Sequence, residues 1–188
     1  TAKVEPGAAC VVFGAGGVGL NTIQGCAMSG AAMVVAVDMN DAKLTLARAF
    51  GATHVLNPSG GDDVVKTLRK LTGGGADYAF ECVGFGSILA QAYGCLRKGG
   101  TAVMVGVGRS DDQTTVRTNT LLFEEKTLTG SLYGGARPRV DFPRLLGLYK
   151  AGQLKLDALV TRRYSIDEAP QAFDDLANGR NARGVIVF

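Results

Sequence analysis

The stretch Ala9-Cys10-Val11-Val12-Phe13-Gly14-Ala15-Gly16-Gly17-Val18-Gly19-Leu20-Asn21 decides how the rest of this chain is read. A short β-rich run at 9–13 meets glycines spaced G-x-G-x-x-G at Gly14, Gly16 and Gly19. Val18, Ile23, Ala27 and Met28 then recur at helical spacing until Gly30. Strand, tight turn and helix are predicted. In that setting Gly14 makes the turn, Gly16 leaves no Cβ where a pyrophosphate would approach the backbone, and Gly19 lets the helix lie close on the strand. The first turn of the helix, with Gly17 and Val18, offers unpaired N–H groups to an anion. The plainer reading of the same residues is a glycine-rich turn with no ligand.

The neighbouring segment argues against that plainer reading. Met33 to Val37 is a continuous apolar run, as expected of a strand covered on both faces, and Asp38 closes it about twenty residues past the glycines. A carboxylate there can accept both hydroxyls of an adenosine ribose and would repel a 2′-phosphate, which argues for NAD over NADP. As an alternative, Asp38 could serve only as a helix N-cap. Lys43, one turn into the next helix, could reach the same ribose or could be an ordinary surface lysine.

Outward from this pair the alternation continues. A helix is expected from Asp41 to Gly51, a strand at His54–Leu56, an amphipathic helix over Asp62–Leu71, a strand at Tyr78–Val83, a helix at Ile88–Leu96 and strands at Thr101–Val105 and Thr127–Leu132. Arg109 to Asn119 is polar, without apolar period, and reads as a loop. Such alternation implies right-handed crossovers, so the expected fold is α/β, a Rossmann-type doubly wound parallel sheet over residues 1–133. The tail, 134–188, is expected to be a return segment packing elsewhere, with a helix near Phe142–Lys150, a strand near Leu159–Tyr164, a helix at Asp167–Leu176 and a last strand at Gly184–Phe188.

Composition narrows the function classes. The 27 glycines among 188 residues are about twice ordinary usage. A net charge of +3 is too slight to argue for a nucleic-acid surface, and no long apolar run suggests a membrane span. Cys10, Cys26, Cys82 and Cys95 form no C-x-x-C pair and His54 is the only histidine, so the chain is not expected to build a metal site, and a reducing cytoplasm is the default compartment. Thr1-Ala2-Lys3-Val4-Glu5-Pro6-Gly7 has neither an initiator Met nor a signal-peptide layout, and is expected to be a cut rather than a natural start.

S-adenosylmethionine enzymes share a glycine-rich first turn and an acid after the second strand. The two classes are separated by the second half of the sheet. Here Phe80-Glu81-Cys82-Val83-Gly84 and Val103-Met104-Val105-Gly106-Val107 end the fourth and fifth strands on glycine, where a dinucleotide crevice would lie.

With these motifs together, the chain resembles the coenzyme-binding domain and C-terminal tail of the medium-chain, zinc-dependent alcohol dehydrogenase family, in its class III-like branch. The resemblance is carried by Val12–Asn21, by Val37-Asp38-Met39-Asn40 with Lys43, by Phe50-Gly51-Ala52-Thr53 and Asn57-Pro58, and by Gly75–Gly84, Gly130–Gly135 and Leu156–Thr161. It implies that Gly14, Gly16, Gly17, Val18 and Gly19 hold the pyrophosphate of NAD, with Val18 behind the nicotinamide. Asp38 and Lys43 would hold the adenosine ribose, Met39 would flank the adenine, and Cys82 and Val83 would line the adenine and nicotinamide-ribose side. Val105, Gly106, Val107, Ser131 and Tyr133 would present backbone groups at the nicotinamide end, and Arg183 would contact the phosphates. Phe85 departs from relatives that place an arginine near the adenine.

The family's catalytic zinc sits on two cysteines and a histidine of an amino-terminal, GroES-like domain, and none of those ligands has a counterpart here. The resemblance therefore implies a hydride-accepting half that is inactive on alcohols or aldehyde adducts by itself. It further implies a tail that packs on the catalytic domain and a homodimer joined through the edge strand 127–132. A zinc-free quinone reductase of the same superfamily, disfavoured by Asp38, and a non-catalytic NAD-binding module stay open as alternatives.

Overall fold

The computed structural model describes residues 1–188, which divide into two compact units, Thr1–Gly135 and Ala136–Phe188. The first unit is a six-stranded, wholly parallel sheet: β1 (Ala9–Phe13), β2 (Met33–Val37), β3 (His54–Leu56), β4 (Ala76–Glu81), β5 (Leu96–Met104) and β6 (Thr127–Gly130). The order is β3-β2-β1-β4-β5-β6, so the chain winds outward in one direction from β1 and then in the other from β4. This is the doubly wound Rossmann architecture.

Successive strand residues face opposite sides. On one side Val11, Phe13, Val35 and Val37 pack with Leu68 of α3 (Val64–Leu71) and with Ala92 and Tyr93 of α4 (Gly86–Gly94). On the other, Cys10, Val12, Val34 and Ala36 are buried, as are Leu20, Ile23 and Cys26 of α1 (Gly17–Met28) and Leu44 and Ala47 of α2 (Asp41–Ala49). With both faces covered, strands can be apolar throughout, which is why β1 and β2 show runs rather than alternation. Truncating a fully buried residue such as Leu20 to alanine would cost about 2–5 kcal/mol.

Several boundaries differ from the sequence reading. The fourth helix ends at Gly94 rather than Leu96, and β5 begins at Leu96 and runs through Gly99-Gly100, which the sequence presents as a break. The pairing explains it: a register shift between Ala76 and Tyr78 lets Leu96 pair with Ala76 while Thr101 pairs with Tyr78. A Cβ on Gly100 would stand 2.9 Å from the Ala76 carbonyl oxygen, so glycine serves strand approach there. The expected loop 109–119 ends early, because α5 (Thr118–Phe123) starts inside it.

The second unit holds α6 (Pro138–Lys150), β7 (Arg162–Ser165), α7 (Ala169–Ala177) and β8 (Gly184–Val187), with β7 and β8 paired in parallel. The helix starts before Phe142 because Pro138 stands in its first turn and Asp141 accepts from the Arg137 N–H at 2.6 Å. The strand begins at Arg162 rather than Leu159, whose own segment Asp157–Leu159 is a 3₁₀ turn. Ser165 and Glu168 form a capping box before α7.

Candidate functional site

The C-terminal ends of β1 and β4 lie side by side at the point where strand order reverses, the position at which open α/β sheets form a crevice. Gly14 leaves β1 at φ +89°, a left-handed conformation suited to glycine, and its N–H donates to the Val37 carbonyl at 2.8 Å. A Cβ on Gly19 would lie 1.7 Å from the Gly14 carbonyl oxygen, so α1 can sit this close to the turn only with glycine there. Gly16 is different. Its backbone is extended, at φ −78° and ψ −169°, and a Cβ would meet nothing within 4 Å. Protein packing does not require glycine at 16, and the space above it is open.

That space lies over the start of α1, which has neither a side-chain cap nor an acidic residue in its first turn. By contrast α2 is capped by Asn40, whose Oδ1 accepts from the N–H groups of Ala42 and Lys43, and α3 by Asp63, which accepts from Lys66 N–H. Uncapped N–H groups at a helix start are an anion site.

Asp38 is half-buried beside this helix start. Its Oδ2 accepts from Ala15 N–H at 2.7 Å and its Oδ1 from Asn40 N–H at 2.9 Å. Since Asn40 is the cap of α2, the reading of Asp38 as an N-cap is excluded. Each oxygen keeps a further lone pair, so the carboxylate is both locked to the glycine turn and able to accept from a vicinal diol. Lys43 is half-buried one turn into α2. Met39, Val18, Val83 and Phe85 are exposed apolar side chains around these elements, Met39 at 75%.

The remaining predicted residues are placed less uniformly. Cys82 turns toward α1, with its Sγ 3.5 Å from Thr22 Oγ1, and burial pushes its thiol up to about 12, so it is a neutral, packing side chain at pH 7. The N–H groups of Val105 and Gly106 both donate to the Glu81 carbonyl at 2.9 Å, which leaves their carbonyls as the atoms they can present. Val107 is exposed beyond them. Ser131 N–H donates to Met104 O, and its hydroxyl pairs with Thr1 Oγ1 at 2.7 Å. Tyr133 takes a left-handed conformation, φ 52°, and is exposed. Arg183 belongs to the second unit, exposed before β8, where its carbonyl accepts from Thr161 N–H at 3.0 Å.

Sequence reasoning passed over Glu81. It is fully buried at the end of β4, and its Oε1 accepts from the N–H groups of Val83, Gly84 and, at 3.4 Å, Phe85. The same residue's carbonyl holds Val105 and Gly106. One residue thus fixes both backbone segments that continue from β4 and β5. The available signal was a carboxylate set among the apolar residues Ala79, Phe80, Cys82 and Val83.

No group of three or more His, Cys, Asp or Glu side chains lies together in a way that could hold a metal ion. The lone imidazole, His54, shares its Nδ1 with Thr53 Oγ1 at 2.9 Å. These residues do not fit a zinc site.

The sequence model of the zinc-binding dehydrogenases matches residues 17–151. This chain belongs to the zinc-binding dehydrogenase family. Among its relatives is the S-(hydroxymethyl)glutathione dehydrogenase of Paracoccus denitrificans, 37% identical over 195 residues and aligned with 100% of this chain and 52% of its own length. The alcohol dehydrogenase class-3 of Cereibacter sphaeroides is 40% identical over 196 residues, with 100% of this chain and 52% of the relative covered. The class III-like resemblance is thereby supported. The crystal structure of benzyl alcohol dehydrogenase from Acinetobacter calcoaceticus superposes with a TM-score of 0.93 at 34% identity, covering 98% of this chain and 51% of that one. This zinc-binding dehydrogenase chain spans about half the length of the curated relatives it matches.

Proposed function

We propose that the first unit binds NAD as the hydride-accepting half of a class III-like alcohol dehydrogenase, with NAD preferred over NADP. The observation that carries this reading is the open position at Gly16 above the uncapped start of α1, with the Asp38 carboxylate alongside. Backbone N–H groups from Gly16 to Gly19 receive the pyrophosphate over the turn that Gly14 makes, and Val18 backs the nicotinamide. Asp38 accepts the ribose hydroxyls, with Lys43 beside it, and Met39 and Val83 cover the adenine side. Phe85 stands where some relatives have arginine, so that position supplies no cation near the adenine. The carbonyls of Val105, Gly106 and Val107, with Ser131 and Tyr133, orient the nicotinamide end. Bound NAD supplies the electrophilic ring that takes a hydride from a primary alcohol or an aldehyde adduct.

The zinc that the family name implies is assigned to the half of the relatives that this chain does not span, so the chain alone is expected not to oxidise alcohols. The second unit, with Phe173, Leu176 and Phe188 exposed, is read as the return segment that packs on that other half. A homodimer through the edge strand β6 is part of the same proposal, supported by the free edge and by Leu132, 90% exposed just past it. No helix is long and apolar enough to cross a membrane. A cytoplasmic location agrees with four free cysteines.

Fluorescence titration tests the reading. NADH is expected to bind and NADPH to bind at least about tenfold more weakly, one lost charge-compatible contact being worth about 1.5–3 kcal/mol. Equal affinities would overturn the role given to Asp38, and no binding of either would overturn the nucleotide assignment.

A further inference from the structure

We propose that the cleft bounded by α3, α4 and α5 is a second ligand site, separate from the glycine-turn crevice, for a small dianion carrying a phosphate group. The cleft has a volume of about 420 Å³, and its walls carry three cations, Arg69, Arg117 and Lys126, against the single carboxylate of Glu124. None of these residues belongs to the crevice described above.

Lys126 accounts for that carboxylate. Its side chain is 4% exposed, its Nζ stands 2.6 Å from Glu124 Oε2, and it lies 5.1 Å from the centroid of the Tyr93 ring. A buried ammonium of this kind is compensated by one acid and one aromatic face. Neither Arg69 nor Arg117 has a carboxylate within ion-pair distance, so the cleft keeps two uncompensated positive charges. Arg69 donates one N–H to the Leu96 carbonyl, which fixes its guanidinium at the wall and leaves further donors of its fork free. Lys126 holds the Glu124 carboxyl below its ordinary value, with Arg69 and Lys98 adding to the effect.

A cleft whose walls carry two spare positive charges concentrates anions. Planar forks match the oxygens of a phosphate group, and the Thr115 side chain at the rim adds a hydroxyl donor. A dianion neutralises the surplus; a monocarboxylate would leave half of it.

The test is thermal unfolding with inorganic phosphate at constant ionic strength, using chloride as the balancing salt. It is run on the wild-type chain, on Gly16→Val and on Arg117→Gln and Arg69→Gln. With phosphate at about ten times its Kd, the melting temperature is expected to rise by about 3–6 °C. The rise should persist in Gly16→Val, which closes the crevice, and vanish in Arg117→Gln. Arg117 is exposed, so its variant folds and decides the matter even if Arg69→Gln does not fold. A parallel titration with glycerol phosphate separates the sources, since tighter binding than inorganic phosphate assigns a phosphomonoester and weaker binding assigns the free ion. No shift, a shift lost in Gly16→Val, or one retained in Arg117→Gln would overturn the proposal.

Discussion

In the first unit the fully buried large side chains are apolar with one exception: Val11, Val12, Phe13, Leu20, Ile23 and Leu68 surround the sheet, and Glu81 alone is charged. In the second unit the deeply buried residues are Leu159, Tyr164 and the carboxylate of Asp175, while Ile166, Phe173, Leu176 and Phe188 stand exposed. Asp175 accepts from Tyr164 Oη at 2.7 Å, Arg162 Nη1 at 2.6 Å, Gln171 Nε2 at 2.8 Å and Arg180 Nη1 at 2.9 Å. A sheet covered on both faces holds its shape by buried area, whereas β7, α7 and the turn after α7 are tied by a hydrogen-bonded charge. The first arrangement tolerates acid and is sensitive to volume; the second is the reverse.

The sharpest break would come from Gly19→Val. With a Cβ 1.7 Å from the Gly14 carbonyl oxygen, the first unit is expected to lose its fold and all NADH binding, read by circular dichroism and fluorescence. Asp175→Ala should do comparable harm to the second unit alone, abolishing its cooperative unfolding at neutral pH while NADH affinity in the first unit changes little. The pH dependence has a definite sign. Hydrogen bonds from Tyr164 and Arg180 hold the Asp175 carboxyl at about 2, below its ordinary 3.8. Its contribution is therefore complete above pH 3.8 and lost as pH falls through about 2. Acid unfolding monitored at Tyr164 should show that loss in the wild type and not in the variant.

Gly16→Val sharpens the comparison within the first unit. The added side chain has room, so the melting temperature should move by no more than about 2 °C, yet NADH affinity should fall more than about 100-fold as the anion's space is filled. A retained affinity would mean that the open space has no ligand. Asp38→Asn is the mildest change. NADH binding should weaken by about 10–100-fold and discrimination against NADPH should shrink, since the charge that opposes a 2′-phosphate is gone.

The turn from Phe13 to Gly19 was legible in the sequence because Gly14 and Gly19 each answer a local demand, and β1 and β2 because a two-face buried strand is an unbroken apolar run. The start of β5 was not. Gly99-Gly100 reads as punctuation, and only the register shift against Ala76 shows that it serves strand approach. The role of Glu81 was hidden for a related reason: its partners are backbone N–H groups brought together by the fold, which no spacing records. Asp175 was hidden similarly, since of its four donors only Gln171 lies one helical turn away on α7. Lys126 and Arg117 could not be grouped with Arg69 before α3, α4 and α5 were placed.

The most direct test of the central claim is a crystal structure of the chain with NADH. The diphosphate is expected over Gly16 and the first turn of α1, with both adenosine ribose hydroxyls on the Asp38 carboxylate. A dinucleotide bound elsewhere, or a crevice left empty at saturating NADH, would contradict it.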